Sequence, residues 1–196
     1  MKKIVLFALC AMCAMTMMAQ RVGGGKSDNR DDGHPAFWGH LERGYRGFAE
    51  ETFGLAIGSS GGDVNQCKYS ELSTTHGYQV TPYMFIGAGF ALEFYGNGRE
   101  WEEGFTLPIY GDVRFDFLNK RITPFFDIRA GSSVVGIKAF YGSSTLGARF
   151  CVGGSMAINF GLSCHFQNIK RLSYMEYDEG YYYWIISPGL KLGLEW

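Results

Sequence analysis

Residues 105–117 read Phe105-Thr106-Leu107-Pro108-Ile109-Tyr110-Gly111-Asp112-Val113-Arg114-Phe115-Asp116-Phe117. The odd positions are apolar apart from Gly111, and the even positions carry Asp112, Arg114 and Asp116. Successive side chains of a β-strand point to opposite sides. As a strand, this stretch therefore has one apolar face and one face with three charges. As a helix, it would scatter the same charges around the whole surface.

The period of two recurs along the chain. Phe126, Ile128, Ala130, Ser132 and Val134 alternate with Phe125, Asp127, Arg129 and Gly131, after the short turn Leu118-Asn119-Lys120-Arg121. Met84 to Phe94, Leu146 to Met156 and Trp184 to Trp196 alternate in the same way. Three less regular stretches, about 44–58, 70–80 and 162–172, bring the expected number of strands to eight. In the first, Glu50 and Glu51 are adjacent, so one of them must face outward. Short connections are expected near 81–83, 118–121 and 158–161, and long ones near 59–69, 95–104, 136–145 and 173–181. Short turns on one side and long loops on the other are the signature of a transmembrane barrel with an even strand count. The 28 Gly, 16 Phe and 12 Tyr among 196 residues favour β structure with tight turns over a helical bundle.

Periodicity alone does not say which face points inward. Three features decide it. The apolar faces are too bulky for the narrow interior of an eight-stranded barrel. The other faces mix charges with small residues such as Gly87, Gly89, Gly131, Gly153, Ser155, Gly189 and Gly193, which leaves room for long side chains. Arg114, Arg129, Arg149 and Lys191 are then expected to pair inside with Glu93, Asp112, Asp116, Asp127 and Glu195, as buried charges require. Finally, most strands reach the ~9–11 residues that cross the hydrocarbon. Tyr83, Phe94, Tyr95, Trp101, Tyr181, Tyr182, Tyr183, Trp184 and Trp196 lie at strand ends, where aromatic girdles meet the membrane interface. The expected fold is all-β: an eight-stranded antiparallel up-and-down transmembrane β-barrel over residues 43–196.

Residues 1–19 have the layout of a signal peptide: Lys2 and Lys3, then a run from Ile4 to Met18 that is apolar apart from Thr16, then the small Ala19. Its removal takes two of the 18 basic residues and none of the 19 acidic ones, so the remaining chain carries a net charge of −3. That balance does not call for a nucleic-acid partner. Residues 20–42, with Gly23-Gly24-Gly25, are expected to form a flexible periplasmic segment, with Phe37, Trp38 and Leu41 as candidates to pack under the barrel. Cys10 and Cys13 fall in the leader. Cys67, Cys151 and Cys164 have neither disulfide-framework nor zinc spacing, and strand parity puts Cys151 and Cys164 on opposite faces, so no bond between them is expected.

Leu107-Pro108-Ile109-Tyr110-Gly111-Asp112-Val113-Arg114-Phe115 and Thr123-Pro124-Phe125-Phe126-Asp127-Ile128-Arg129-Ala130-Gly131 resemble the small outer-membrane β-barrel proteins of Bacteroidetes, akin to the OmpA/OmpX-type eight-stranded barrels. Gly77-Tyr78-Gln79-Val80-Thr81-Pro82-Tyr83 adds to the resemblance. So does the end, Leu190-Lys191-Leu192-Gly193-Leu194-Glu195-Trp196, which resembles the terminal strand read by the barrel assembly machinery. The family more often ends in Phe than in Trp. The resemblance spans about residues 43–196. It implies an outer-membrane location, with membrane lipids and the assembly machinery as partners.

The resemblance supplies no catalytic, cofactor or metal residues, and none is assigned. The expected role is structural or interactive, through surface loops such as 59–69 with Gly61, Gly62 and Asp63 over a side-chain-plugged interior. Two alternatives stand beside it. One is a lipid-modifying enzyme, whose available pieces are His76 with Ser73 or Thr75, and His165 with Ser163. The other is a soluble periplasmic carrier, which requires the apolar faces to point inward.

Overall fold

The computed structural model describes residues 41–60, 63–96, 104–136, 139–153, 156–170 and 182–196. It contains eight strands: β1 (Gly44–Ser60), β2 (Asp63–Thr81), β3 (Met84–Gly96), β4 (Gly104–Asp116), β5 (Ile122–Gly136), β6 (Ala139–Gly153), β7 (Met156–Lys170) and β8 (Tyr182–Glu195). They form a closed barrel in chain order, each strand antiparallel to its neighbours. Closure comes from β1 against β8, in register from Phe48↔Glu195 to Gly58↔Ile185. Beyond the last paired strand residue, the Gly47 N–H donates to the Trp196 carbonyl at 2.9 Å, and the Trp196 N–H donates back at 3.1 Å. The final residue thus completes the ladder, and no strand edge is left open.

Both barrel termini lie at one end, which we call the terminal end, together with the connections 82–83, 117–121 and 154–155. The β4–β5 turn is held by the Phe117 N–H donating to the Pro124 carbonyl at 2.9 Å and by the Thr123 hydroxyl donating to the Lys120 carbonyl at 2.7 Å. Leu41, just before β1, is buried, and its N–H donates to Asn119 Oδ1 at 2.5 Å. Asn119 follows β4, and β1 and β5 are four strands apart in a closed ring of eight. Residues 41–43 therefore cross the mouth of the barrel. Leu41 fills the place under the barrel expected of it; Phe37 and Trp38 lie outside the described residues, as do the leader and most of the segment 20–42.

The apolar residues face outward. On β7, Ile158, Phe160 and Leu162 are exposed, while Asn159, Ser163, His165 and Gln167 between and beyond them are buried. The same alternation runs along β4, with Ile109 and Phe115 outside and Tyr110, Asp112, Arg114 and Asp116 inside. Of the adjacent glutamates, Glu50 is inside at 1 % exposure, and Glu51 takes the outer face. A carrier of apolar ligands needs the opposite arrangement, with its apolar side chains lining the cavity. Cys151 is buried on the inner face. Cys164 is partly exposed on the outer face, and its register partner is Ser144, seven positions from Cys151 along β6; both thiols are free.

The expected boundaries need correction in three regions. Residues 136–145 are not a long loop: β6 starts at Ala139, and only 137–138 separate it from β5. The expected connection at 158–161 lies inside β7, and the β6–β7 break falls at 154–155. Likewise β1 and β2 pair out to Ser60↔Asp63, so the expected loop 59–69 reduces to 61–62, and Asp63 opens a strand. Gly61 and Gly62 lie outside the described residues. The shared cause is chemical. Gly, Asn and Ser signal turns, but this barrel also uses them to line its interior, as at Asn159, Ser143 and Ser163. Hydrophobic alternation marks only the part of a strand that faces hydrocarbon. Backbone pairing continues beyond it, because each antiparallel neighbour still satisfies the other's N–H and C=O groups. Length asymmetry between the two ends survives at 97–103 and 171–181.

Leu162 is 64 % exposed at the centre of β7, so it reports on the medium around the barrel. Leu162→Arg is expected to lower the folding stability in lipid vesicles by about 2–4 kcal/mol, the cost of a cation at a bilayer midplane. Denaturant titration of the vesicle-inserted protein checks this; a change within about 0.5 kcal/mol is what an ordinary water-facing site would give.

Candidate functional site: a charged lumen in three layers

The inward residues of the eight strands form a continuous polar core, built around a few intrusive aromatic rings. Phe48, Phe85 and Phe125 are fully buried inside the barrel. Glycine makes room for them. Gly147 is the register partner of Phe125, and a Cβ there would stand 2.6 Å from the Phe125 ring. Gly193 faces Glu50 across the closure, where a Cβ would stand 2.5 Å from Glu50 Cγ.

Nearest the terminal end, Arg46 Nη1 lies 3.1 Å from Asp116 Oδ2 and Arg46 Nη2 lies 2.9 Å from Glu195 Oε2. Arg149 Nε also donates to Glu195, at 2.9 Å and 3.0 Å to its two oxygens. Gln79 joins this layer by accepting from Arg46 and donating to Asp116 Oδ2 at 3.3 Å. The layer holds two cations and two carboxylates.

The middle layer centres on Glu50. One of its oxygens accepts from Arg114 at 2.7 Å, the other from Arg129, and Lys191 Nζ stands 3.8 Å away. Asp127 Oδ2 lies 3.3–3.4 Å from the same three cations. Asp112 Oδ2 lies 3.3 Å from Arg129 Nε. Three cations meet three carboxylates here. The Arg114 guanidinium also lies over the Phe48 and Phe125 rings, 4.1 Å and 4.3 Å from their centroids. Each such stack adds about 0.5–2 kcal/mol when desolvated. It also explains why two aromatic rings occupy a charged lumen.

The third layer, toward the other end, contains Glu71, Glu93 and His165, flanked by Tyr69, Tyr95, Tyr141, Thr106 and Gln167. Glu71 Oε2 accepts from the Tyr69 hydroxyl at 2.5 Å and from the Tyr141 hydroxyl at 3.3 Å. Glu93 Oε2 accepts from Thr106 and, at 3.0 Å, from Gln167. His165 sits among the Tyr69 and Tyr141 rings, with centroids 5.2 Å and 4.6 Å away. Its Nε2 is 3.2 Å from Glu93 Oε1 and 3.9 Å from Glu71 Oε2. Among the described residues, the permanent cation paired with this layer is Arg129, which reaches Glu71 only at 4.0 Å.

The expected pairing therefore holds for Arg114, Arg129, Arg149, Lys191, Asp112, Asp127 and Glu195, whereas Asp116 is inside as expected but pairs with Arg46. Glu93 departs from it: its partners are His165, Thr106 and Gln167. Tyr95 also departs from its expected place in the aromatic girdle, because its hydroxyl donates inward to Gln167 at 2.7 Å. Trp101 and Tyr181 lie outside the described residues. Arg46, Glu50 and Glu71 were not among the expected lumen charges, although parity with Phe48 and with Ser73 and Thr75 places them inside.

The hydrolase pieces are not assembled. His76 is on the outer face, bonded to the Tyr45 hydroxyl at 2.6 Å and to Thr74 Oγ1 at 3.0 Å, while Ser73 and Thr75 point into the lumen toward Arg129 and Tyr110. Ser163 and His165 share the lumen, but neither the Ser163 hydroxyl nor the His165 ring nitrogens makes a hydrogen bond.

No protein-family model and no curated protein matches the chain. Among solved structures, it resembles Neisserial surface protein A. The two share 13 % sequence identity with a TM-score of 0.51, over 79 % of this chain and 98 % of that one. At that identity the likeness to Neisserial surface protein A concerns the fold: an eight-stranded barrel is common to a chain with little sequence in common.

Glu50 holds the middle layer together. Glu50→Ala leaves three buried cations against two carboxylates and is expected to cost about 3–5 kcal/mol, as breaking one partner of a buried ion pair does. The midpoint of thermal unfolding in detergent, read on denaturing gels, should fall accordingly. An unchanged midpoint would show that the cluster does not carry the fold.

Proposed function

We propose that the chain is exported and inserted into a bacterial outer membrane, as in the Bacteroidetes proteins it resembles, as an integral barrel plugged by its own side chains. The observation that carries this reading is the inversion of polarity, with exposed Phe, Leu and Ile outside and eleven charged groups drawn into buried ion pairs inside. An exterior of that kind is stable against hydrocarbon and unstable against water. The closed ladder leaves no backbone group to be satisfied by lipid. The aromatic side chains Tyr45, Tyr78 and Tyr83, exposed near the terminal end, fit an interface girdle on the periplasmic side. Residues 1–19 supply the export signal, and the strand ending at Trp196 supplies the assembly signal.

On this reading the buried side chains plug the lumen, and the role lies at the surface. We read the chain as a structural or interaction protein, with its partners engaged at the end that carries 97–103 and 171–181. The separation of His76 from Ser73 and Thr75 favours this reading over a lipid hydrolase on the same scaffold.

Expression with the leader, membrane fractionation and comparison of unboiled with boiled samples test the proposal. We expect the protein in the outer-membrane fraction, with a band that changes mobility only on heating. Recovery as a soluble periplasmic protein without a heat-dependent shift would overturn it.

A further inference from the structure

We propose that Glu71, Glu93 and His165 form a binding site for one divalent transition-metal ion of the zinc class, inside the barrel between the central ion cluster and the loop-bearing end. Three observations lead there. The first is geometric: each residue offers one ligand atom, and these atoms lie within 4.8 Å of one another. Donors held ~2.1 Å from one ion stand ~3–4 Å apart, so small side-chain rotations close the set. His165 Nε2 and Glu93 Oε1 already stand 3.2 Å apart.

The second is the unspent bonding capacity. His165 is 2 % exposed and Glu93 0 %. Both ring nitrogens of His165, and Glu93 Oε1, lack a hydrogen-bond partner. Such groups are costly in a dry interior unless something else satisfies them. Meanwhile the other oxygen of Glu93 is fixed by Thr106 and Gln167, and Glu71 is fixed by two phenols. At Glu93 the outer donors orient the carboxylate and leave Oε1 free, the arrangement that metal sites use, while at Glu71 the phenols hold Oε2 beside His165 Nε2.

The third is charge. The other two layers balance, with two cations against two carboxylates and three against three. The third layer has two carboxylates and no permanent cation of its own among the described residues. A dication cancels that excess. An imidazole with two carboxylates selects a borderline ion such as Zn²⁺ or Co²⁺ over Ca²⁺ or Mg²⁺, which prefer all-oxygen shells of higher number. The ion would tie β2, β3 and β7 together across the lumen and raise the stability of the folded barrel.

The test uses the full mature chain folded in detergent, stripped with chelator and dialysed against Zn²⁺. We expect one Zn²⁺ per barrel by elemental analysis and a rise in the thermal unfolding midpoint. His165→Ala and Glu93→Gln should each weaken binding by about tenfold or more and abolish the rise. Heat-dependent gel mobility identifies which variants have folded. If neither has, Co²⁺ added to the unsubstituted protein decides: d–d bands more intense than those of aqueous Co²⁺ support an enclosed site, and a spectrum like the aqueous ion overturns it. Two other results overturn the proposal. One is a folded protein without stoichiometric Zn²⁺, which would mean that protons alone neutralise the layer. The other is Zn²⁺ binding that both folded variants retain, which would place the ion elsewhere on the chain.

Discussion

Everything in this molecule follows from closing a sheet whose outer face is apolar. Once β1 pairs with β8, no backbone N–H or C=O on the wall needs water. The exterior is then free to be Phe, Leu and Ile. The charged halves of the same strands have nowhere to go but inward. An interior of that kind is costly unless each charge meets its opposite. The lumen is therefore an electrostatic problem, solved layer by layer.

Arg114 illustrates the solution. Its guanidinium donates to Glu50 and stacks over the Phe48 and Phe125 rings. A planar, weakly hydrated cation suits that slot; a lysine ammonium could not fill it. Gly147 and Gly193 contribute by having no side chain, since a Cβ at either would collide with Phe125 or Glu50. Lumen composition is thus set by volume and by charge together, with small residues placed opposite large ones.

How much of this was legible in the sequence depended on what each residue signals. Alternation in 105–117 marked the strand and its two faces, because period two has only one structural meaning; the inward direction of Asp112, Arg114 and Asp116 came from volume, since the apolar faces are too bulky for so narrow a lumen and small residues stand beside the charges. Boundaries were less legible. Asn159, Gly161, Ser143 and Ser144 read as turn residues, yet they belong to β6 and β7. In a polar-lined barrel, turn chemistry and lumen chemistry use the same side chains. The ionic partners followed from parity where the strand was regular. Glu50, Glu71 and Arg46 sit in strands whose outer faces carry polar residues such as Glu51 and His76, so the apolar signal that orders the other strands was weak there. The convergence of Glu71, Glu93 and His165 from β2, β3 and β7 had no local signal at all, since it depends on the curvature of the closed sheet.

The account stands on the apolar face touching lipid, and one measurement reads that contact. Place a single tryptophan at Leu162, with the four native tryptophans replaced by Phe, and fold the protein into vesicles whose acyl chains are brominated near the bilayer centre. The account predicts strong quenching relative to unbrominated vesicles, because the side chain lies against hydrocarbon at mid-depth. Fluorescence unaffected by the brominated chains would contradict it, and would place that face of the barrel against something other than a membrane.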